Sequence, residues 1–469
     1  MMMRRVLLFF CCAVMVAMHA LADEKAVTTE STVSYSGSLP VVYINTTSGL
    51  DVTDKDTYMD ASAYIEALGI EGYKNMGSSD EPEGLKVKGH GNYTFSGFDK
   101  KPLRLKFINK VAPLGMSKNR NFIMLAAADD PFGFMQSYIG FEVSRRMKVT
   151  YTPAIVPVEL VFNGDYRGLY FLIENIRIGK NRVNITEQAD NETIAENITG
   201  GWLVEIDNYT GSQQIDFKIG SKSTKVTYHS PETLSLAQQT YLQTQFDAIG
   251  KALTVEDKSS TEWENYIDME SLARFYVTRE VMNDEEGFHG SCFMYKDRGA
   301  DQKWQFGPLW DFGSSYKANT VSKYIFVNTV FAPYVIDEAW KFPRFQEEVK
   351  KVWADFYNEQ YSTMGDFIDN YAELITPATV LDYQRWPKYG VSDEMTKAKE
   401  FKTLLQSKVD WLLGQWGHEA GVTDVDYTEP DATPVWYSLE GIRLGEGDID
   451  LPQGIYIMIK GTHATKVVK

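Results

Sequence analysis

Hydrophobic and polar positions alternate with a period of two along the front of the chain and with a helical period along the back. The first strand is expected at 40–44, after a polar leader at 23–39 that is rich in Ser and Thr. Residues 85–88 alternate and run into Gly89-His90-Gly91-Asn92. A strand at 103–108 then puts Leu103, Leu105 and Phe107 on one face and Arg104 and Lys106 on the other, with Lys100 and Lys101 just ahead of it. Asp129-Asp130-Pro131 opens a predicted helix to about residue 147, because an acid followed by proline suits a first turn. Two apolar runs at 154–162 and 168–173 flank Asn163-Gly164-Asp165, a hairpin signal. Residues 200–207 alternate again, with Glu205 and Asp207 on one side. Helical periodicity takes over at 234–254, 261–283, 343–373 and 392–416, interrupted by a central hairpin. Short strands return from 424 and end at 454–460. The order predicts an α+β fold, β-rich in front and helical behind with a cleft between two lobes, plus a small C-terminal β element at 424–469.

The first 22 residues change the picture of where such a chain works. Arg4 and Arg5 precede an apolar run from Val6 to about Met18, and Ala20-Leu21-Ala22 stands before Asp23. This is the pattern of a secretory signal peptide cleaved after Ala22, which directs the chain to the periplasm, the cell surface or the medium. No later stretch approaches about 18 uninterrupted apolar residues, so no membrane span and a soluble monomer are expected. Two arginines and no acid leave with the peptide, which takes the formal charge from −17 to −19. So acidic a chain is a poor partner for nucleic acid. Of the three cysteines only Cys292 lies beyond residue 22, so no internal disulfide can form after processing and stability must come from a core.

Chemistry concentrates between Asn283 and Tyr316, where acids, glycines and aromatics crowd together. Asp284 and Glu286 stand in an acid-rich turn, a hairpin turns at Arg298-Gly299, and the stretch closes on Trp310-Asp311-Phe312-Gly313. Two carboxylate clusters brought together by a hairpin suit magnesium-dependent phosphoryl transfer, in which hard cations take oxygen ligands and a further carboxylate orients the nucleophile. Asp311-Phe312-Gly313 spells the tripeptide that carries a metal-binding aspartate in protein kinases, although no His-Arg-Asp loop precedes it. A buried tryptophan followed by a turn would produce the same letters. The turn Gly89-His90-Gly91-Asn92 before a strand with a basic face follows the order of a glycine loop and a phosphate-neutralising lysine. A hairpin with a solvated basic face has the same pattern. Glu142 on the helix after Asp129 is a candidate partner for that lysine, or a surface glutamate.

Several stretches taken together resemble the spore coat protein CotH family, kinases with an atypical protein-kinase-like fold. They are 85–92 with 100–107, 158–170 with Glu174, 200–207, and 286–314. The likeness covers roughly residues 40–415, within a domain expected at 40–423. It implies an ATP- and metal-dependent kinase, using Mg2+ or Mn2+, that phosphorylates hydroxyl side chains. It matches Asp311 to the family's metal-binding aspartate and puts Glu286 where its catalytic aspartate is expected, with Asp284 able to compensate from the same turn. Gly89, Gly91 and Asn92 match the glycine turn, and Lys101, Arg104 or Lys106 would contact phosphate. His90 stands where arginine is usual, and Gln136-Ser137 replace an Arg-Asn pair.

Two functions remain open. One is a secreted kinase acting on Ser or Thr hydroxyls of extracytoplasmic proteins. The other is a catalytically silent extracellular module that keeps the fold and binds a surface glycan or protein in an aromatic-rich cleft.

Overall fold

Seven strands of the front half curl into one closed barrel in a computed structural model. It describes residues 34–208, 213–219, 222–318, 320–327, 334–418, 433–438, 442–460 and 463–468. The signal peptide and most of the leader expected at 23–39 lie outside the described residues. The strands are Val41–Thr46 (β1), Met59–Glu66 (β2), Glu83–Gly89 (β3), Leu103–Val111 (β4), Asn119–Leu125 (β5), Ile155–Phe162 (β6) and Asp165–Glu174 (β7). Their order is β1-β2-β3-β4-β5-β7-β6, and a parallel pairing of β1 with β6 closes it, with Val41 opposite Glu159. The one-turn helix Tyr93–Gly97 (α1) joins β3 to β4, and Met135–Arg146 (α2) joins β5 to β6.

The period-two pattern explains the barrel interior. Leu85, Val87, Leu103, Leu105, Phe107, Phe122, Met124, Val158, Leu160 and Leu172 all point into one packed core. On β7 the alternate residues Leu169, Phe171 and Ile173 instead join the core of the helical half. Both faces of β7 are therefore buried, which is why 168–173 reads as a continuous apolar run. This shared wall corrects the expectation of two kinase-like lobes. The mixed α+β arrangement with a β-rich front and helical back is present, but the front is a closed barrel fused to the helical core.

A second sheet of order β12-β11-β8-β10-β9 contains Trp202–Ile206 (β8), Gln214–Ile219 (β9), Lys222–Ser230 (β10), Cys292–Lys296 (β11) and Gln305–Leu309 (β12). Around it lie the helices Leu236–Leu253 (α3), Met269–Val281 (α4), Tyr334–Ala339 (α5), Pro343–Glu359 (α6), Met364–Arg385 (α7) and Glu394–Trp416 (α8). The helical expectation at 261–283 is met in part. A 3-10 turn occupies Glu262–Asn265, and the helix starts after Asp268, whose carboxylate caps Ser271 N at 2.8 Å. The helix expected from Asp129 begins only at Met135, because Asp130 accepts from the backbone N–H groups of Phe132 and Gln136, both at 2.8 Å, and holds a turn there.

One buried brace ties the barrel to the helices. Lys100 Nζ lies 2.6 Å from Asp382 Oδ1 on α7 and donates to Leu169 O at 2.7 Å, while Leu169 N donates to the same carboxylate at 2.9 Å.

A separate unit, Glu419–Lys469, contains a four-stranded antiparallel sheet of order β14-β13-β15-β16. Its strands are Val435–Tyr437 (β13), Arg443–Glu446 (β14), Ile455–Lys460 (β15) and His463–Val468 (β16), and Trp436 is buried in it. Among the described residues no helix is long and apolar enough to cross a membrane.

Candidate active site

Helix α4 delivers one side of the site. It carries Arg279 in its last turn, and Asn283, with φ of 47°, turns the chain so that Asp284 faces back toward that arginine. Arg279 and Asp284 form an ion pair in which neither side chain is exposed. The same guanidinium donates to Trp310 O at 2.6 Å and to Asp311 O at 2.7 Å. The rings of Phe312 and Phe275 lie 4.8 and 5.3 Å from it. One side chain thus fastens the turn after α4 to the end of β12.

The hairpin β11–β12 delivers the other side. Asp311 has φ of 59°, a conformation that aspartate tolerates better than most residues, and its Oδ1 accepts from Gly313 N at 3.0 Å. Phe312 is buried against α2, where a Cβ on Gly140 would lie 2.3 Å from the Phe312 ring. The carboxamide of Gln136 on α2 donates to Ser315 O. Ser314 then bridges the two sides, since its hydroxyl donates to Asp284 Oδ1 and accepts from Glu286 N at 3.3 Å. Glu286 N also lies 3.3 Å from Asp284 Oδ1.

The turn that carries Asp284 and Glu286 is therefore joined through Arg279 and Ser314 to the turn that carries Asp311. Asp311 and Glu286 are exposed, whereas Asp284 is fully buried. Burial pushes the Asp284 carboxyl up from its usual range, against the opposing pull of Arg279 and Ser314. A fourth acid joins them. A Cβ on Gly313 would lie 3.1 Å from Asp311 Oδ1 and 3.6 Å from Asp129 Oδ2, so both carboxylates open on the same spot. Asp129 is raised by its own burial and, more weakly, by Asp311, while Lys317 lowers it.

The model of the family described as CotH kinase protein matches residues 85–412. The chain belongs to the CotH kinase family. A search among curated proteins gave no match.

In this CotH kinase family member, the residues expected at the nucleotide have other surroundings than the acidic turn. Gly89 is buried beneath Phe95, whose ring would lie 2.2 Å from a Cβ there. Gly91, with φ of 78°, turns into α1, and Asn92 Oδ1 accepts from Lys55 Nζ at 2.6 Å. Lys101 donates to Phe95 O at 2.7 Å and lies over the Phe95 ring. The glycine turn and Lys101 thus close on α1. Arg104 is half-buried on the outer face of the barrel, opposite Lys88 on β3 and Ile123 on β5, and Lys106 is exposed opposite Lys86. Glu142 is bonded to Arg145 and Arg146 of its own helix at 2.9 and 2.8 Å.

The sequence pattern gives no site role to Arg279, Ser314, Asp129 or Lys317. Arg279 had a signal, because Arg279-Glu280 are adjacent charges in the otherwise uncharged stretch 275–282, and both are fully buried. The others sit in turns whose contacts span up to 188 residues of chain.

The family implies nucleotide and a divalent metal in general. Among the described residues no group of three or more His, Cys, Asp or Glu is placed to hold a metal. Magnesium held by one or two carboxylates together with substrate phosphates needs no such cage. The exposed carboxylate of Asp311, with Asp129 opening beside it, fits an ion that arrives with phosphate better than a resident one.

Proposed function

We propose that this CotH kinase family member is exported and transfers the γ-phosphoryl group of ATP to Ser or Thr hydroxyls of extracytoplasmic proteins. One observation carries the reading: in a chain of this family, Asp284, the backbone of Glu286 and the turn after Asp311 converge on Ser314. Asp311 would hold Mg2+ or Mn2+, which supplies neutralisation of phosphate charge. Glu286, exposed at the mouth of the turn, orients the substrate hydroxyl and accepts its proton as the hydroxyl oxygen bonds to phosphorus and ADP leaves. Asp284, committed to Arg279 and Ser314, positions that turn.

The test is thermal stability with and without ATP and magnesium. Nucleotide at 100 times its dissociation constant stabilises by about 2.7 kcal/mol. A second reading, the silent binding module, is favoured by the contacts of two residues expected at the nucleotide, Lys101 with Phe95 O and Glu142 with Arg145 and Arg146. It replaces the first if millimolar nucleotide gives no shift with either magnesium or manganese.

A further inference from the structure

An ammonium group stands at the Asp311 turn itself, and it is not one of those on β4. Lys317 follows Asp311 by six residues, in a turn where its backbone N–H donates to Ser314 O at 3.2 Å. Its Nζ lies 3.4 Å from Asp129 Oδ2, and that oxygen opens on Gly313 together with Asp311 Oδ1. The Lys317 side chain keeps 44% of its surface exposed and the Asp129 side chain 20%. At that distance and exposure the pair is weak and its lysine is easily drawn off. Lys101 is instead bonded to Phe95 O on α1 at 2.7 Å.

We propose that Lys317 contacts the terminal phosphate of the nucleotide, and that Asp129 holds its ammonium beside Asp311 until nucleotide arrives. The inference rests on the kinase reading. The logic is charge exchange. Without ligand, the ammonium offsets two carboxylates that face one point. A metal brought in with a polyphosphate would supply that neutralisation, which frees the lysine to swing on its four-carbon stem to the phosphate oxygens, where it acts as a point charge. Such a contact discriminates ATP from ADP, because only ATP places a third phosphate there.

The experiment is equilibrium binding of ATP and of ADP, each with magnesium, to the full chain and to Lys317→Met and Lys317→Arg. Wild type binds ATP more tightly than ADP. Lys317→Met loses roughly tenfold in ATP affinity, as for one charge-assisted contact, and leaves ADP affinity unchanged. Lys317→Arg restores most of the preference. A Lys317→Met protein with the wild-type ratio of ATP to ADP affinity, or with both affinities lowered equally, overturns the assignment while leaving the kinase reading intact. A wild type that binds neither nucleotide overturns both.

Discussion

Arg279 and Asp284, five residues apart, form an ion pair from which solvent is fully excluded, and the guanidinium goes on to bond the carbonyls of Trp310 and Asp311. Removing one partner of such a pair leaves an uncompensated buried charge, so Arg279→Met is expected to cost about 3–5 kcal/mol. Arg279→Lys is also destabilising, because a single ammonium cannot reproduce a planar fork that meets three acceptors. Urea unfolding midpoints check both. An Arg279→Lys midpoint equal to that of wild type contradicts the stapling role.

A second buried acid gives stability a pH dependence. Glu394, at the start of α8, is pushed up to about 8, first by burial and then by the nearby Asp130. Its Oε2 has no hydrogen-bond partner. The folded state therefore keeps a proton that the unfolded state releases near the ordinary carboxylate range, and stability falls as pH rises from about 4 toward 8. Glu394→Gln keeps the shape and removes the titration. Its melting temperature relative to wild type should be higher at about pH 8.5 than at about pH 5, and the same offset at both values contradicts the assignment.

Cys292 is fully buried in β11, and burial pushes its thiol up. It behaves as a small hydrophobe. Native protein without residues 1–22 should not react with a thiol reagent at neutral pH, while the same protein unfolded in urea should give one equivalent. Cys292→Ala should retain phosphoryl transfer, and loss of transfer in a normally folded variant contradicts a purely structural role.

Local pattern showed the elements well and their assembly poorly. The alternation of Leu103, Leu105 and Phe107 marks β4 because one face is buried, and the periodicity at 234–254 and 392–416 marks α3 and α8 to within two residues at each end. Closure of the barrel has no such signature. It depends on a parallel contact between Val41 and Glu159, 118 positions apart, that neither strand announces on its own. The site shows the same division. Asp284, Glu286 and Asp311 stand out as acids among glycines and aromatics. The role of Ser314 depends on a fold that brings it to Asp284 and Glu286, and a helical glutamate such as Glu142 looks alike in sequence whether it meets a nucleotide lysine or its own Arg145 and Arg146.

The most direct test of the kinase reading is transfer of labelled γ-phosphate from ATP to a Ser- and Thr-containing protein substrate, compared across wild type, Asp311→Asn and Glu286→Gln. The account predicts magnesium- or manganese-dependent labelling by wild type. Asp311→Asn should abolish it together with nucleotide-dependent stabilisation, because a charged oxygen ligand is lost. Glu286→Gln should bind nucleotide nearly as well but transfer roughly 10²–10⁴-fold more slowly. Equal labelling by all three proteins, or none by any of them, would contradict the roles given to both acids.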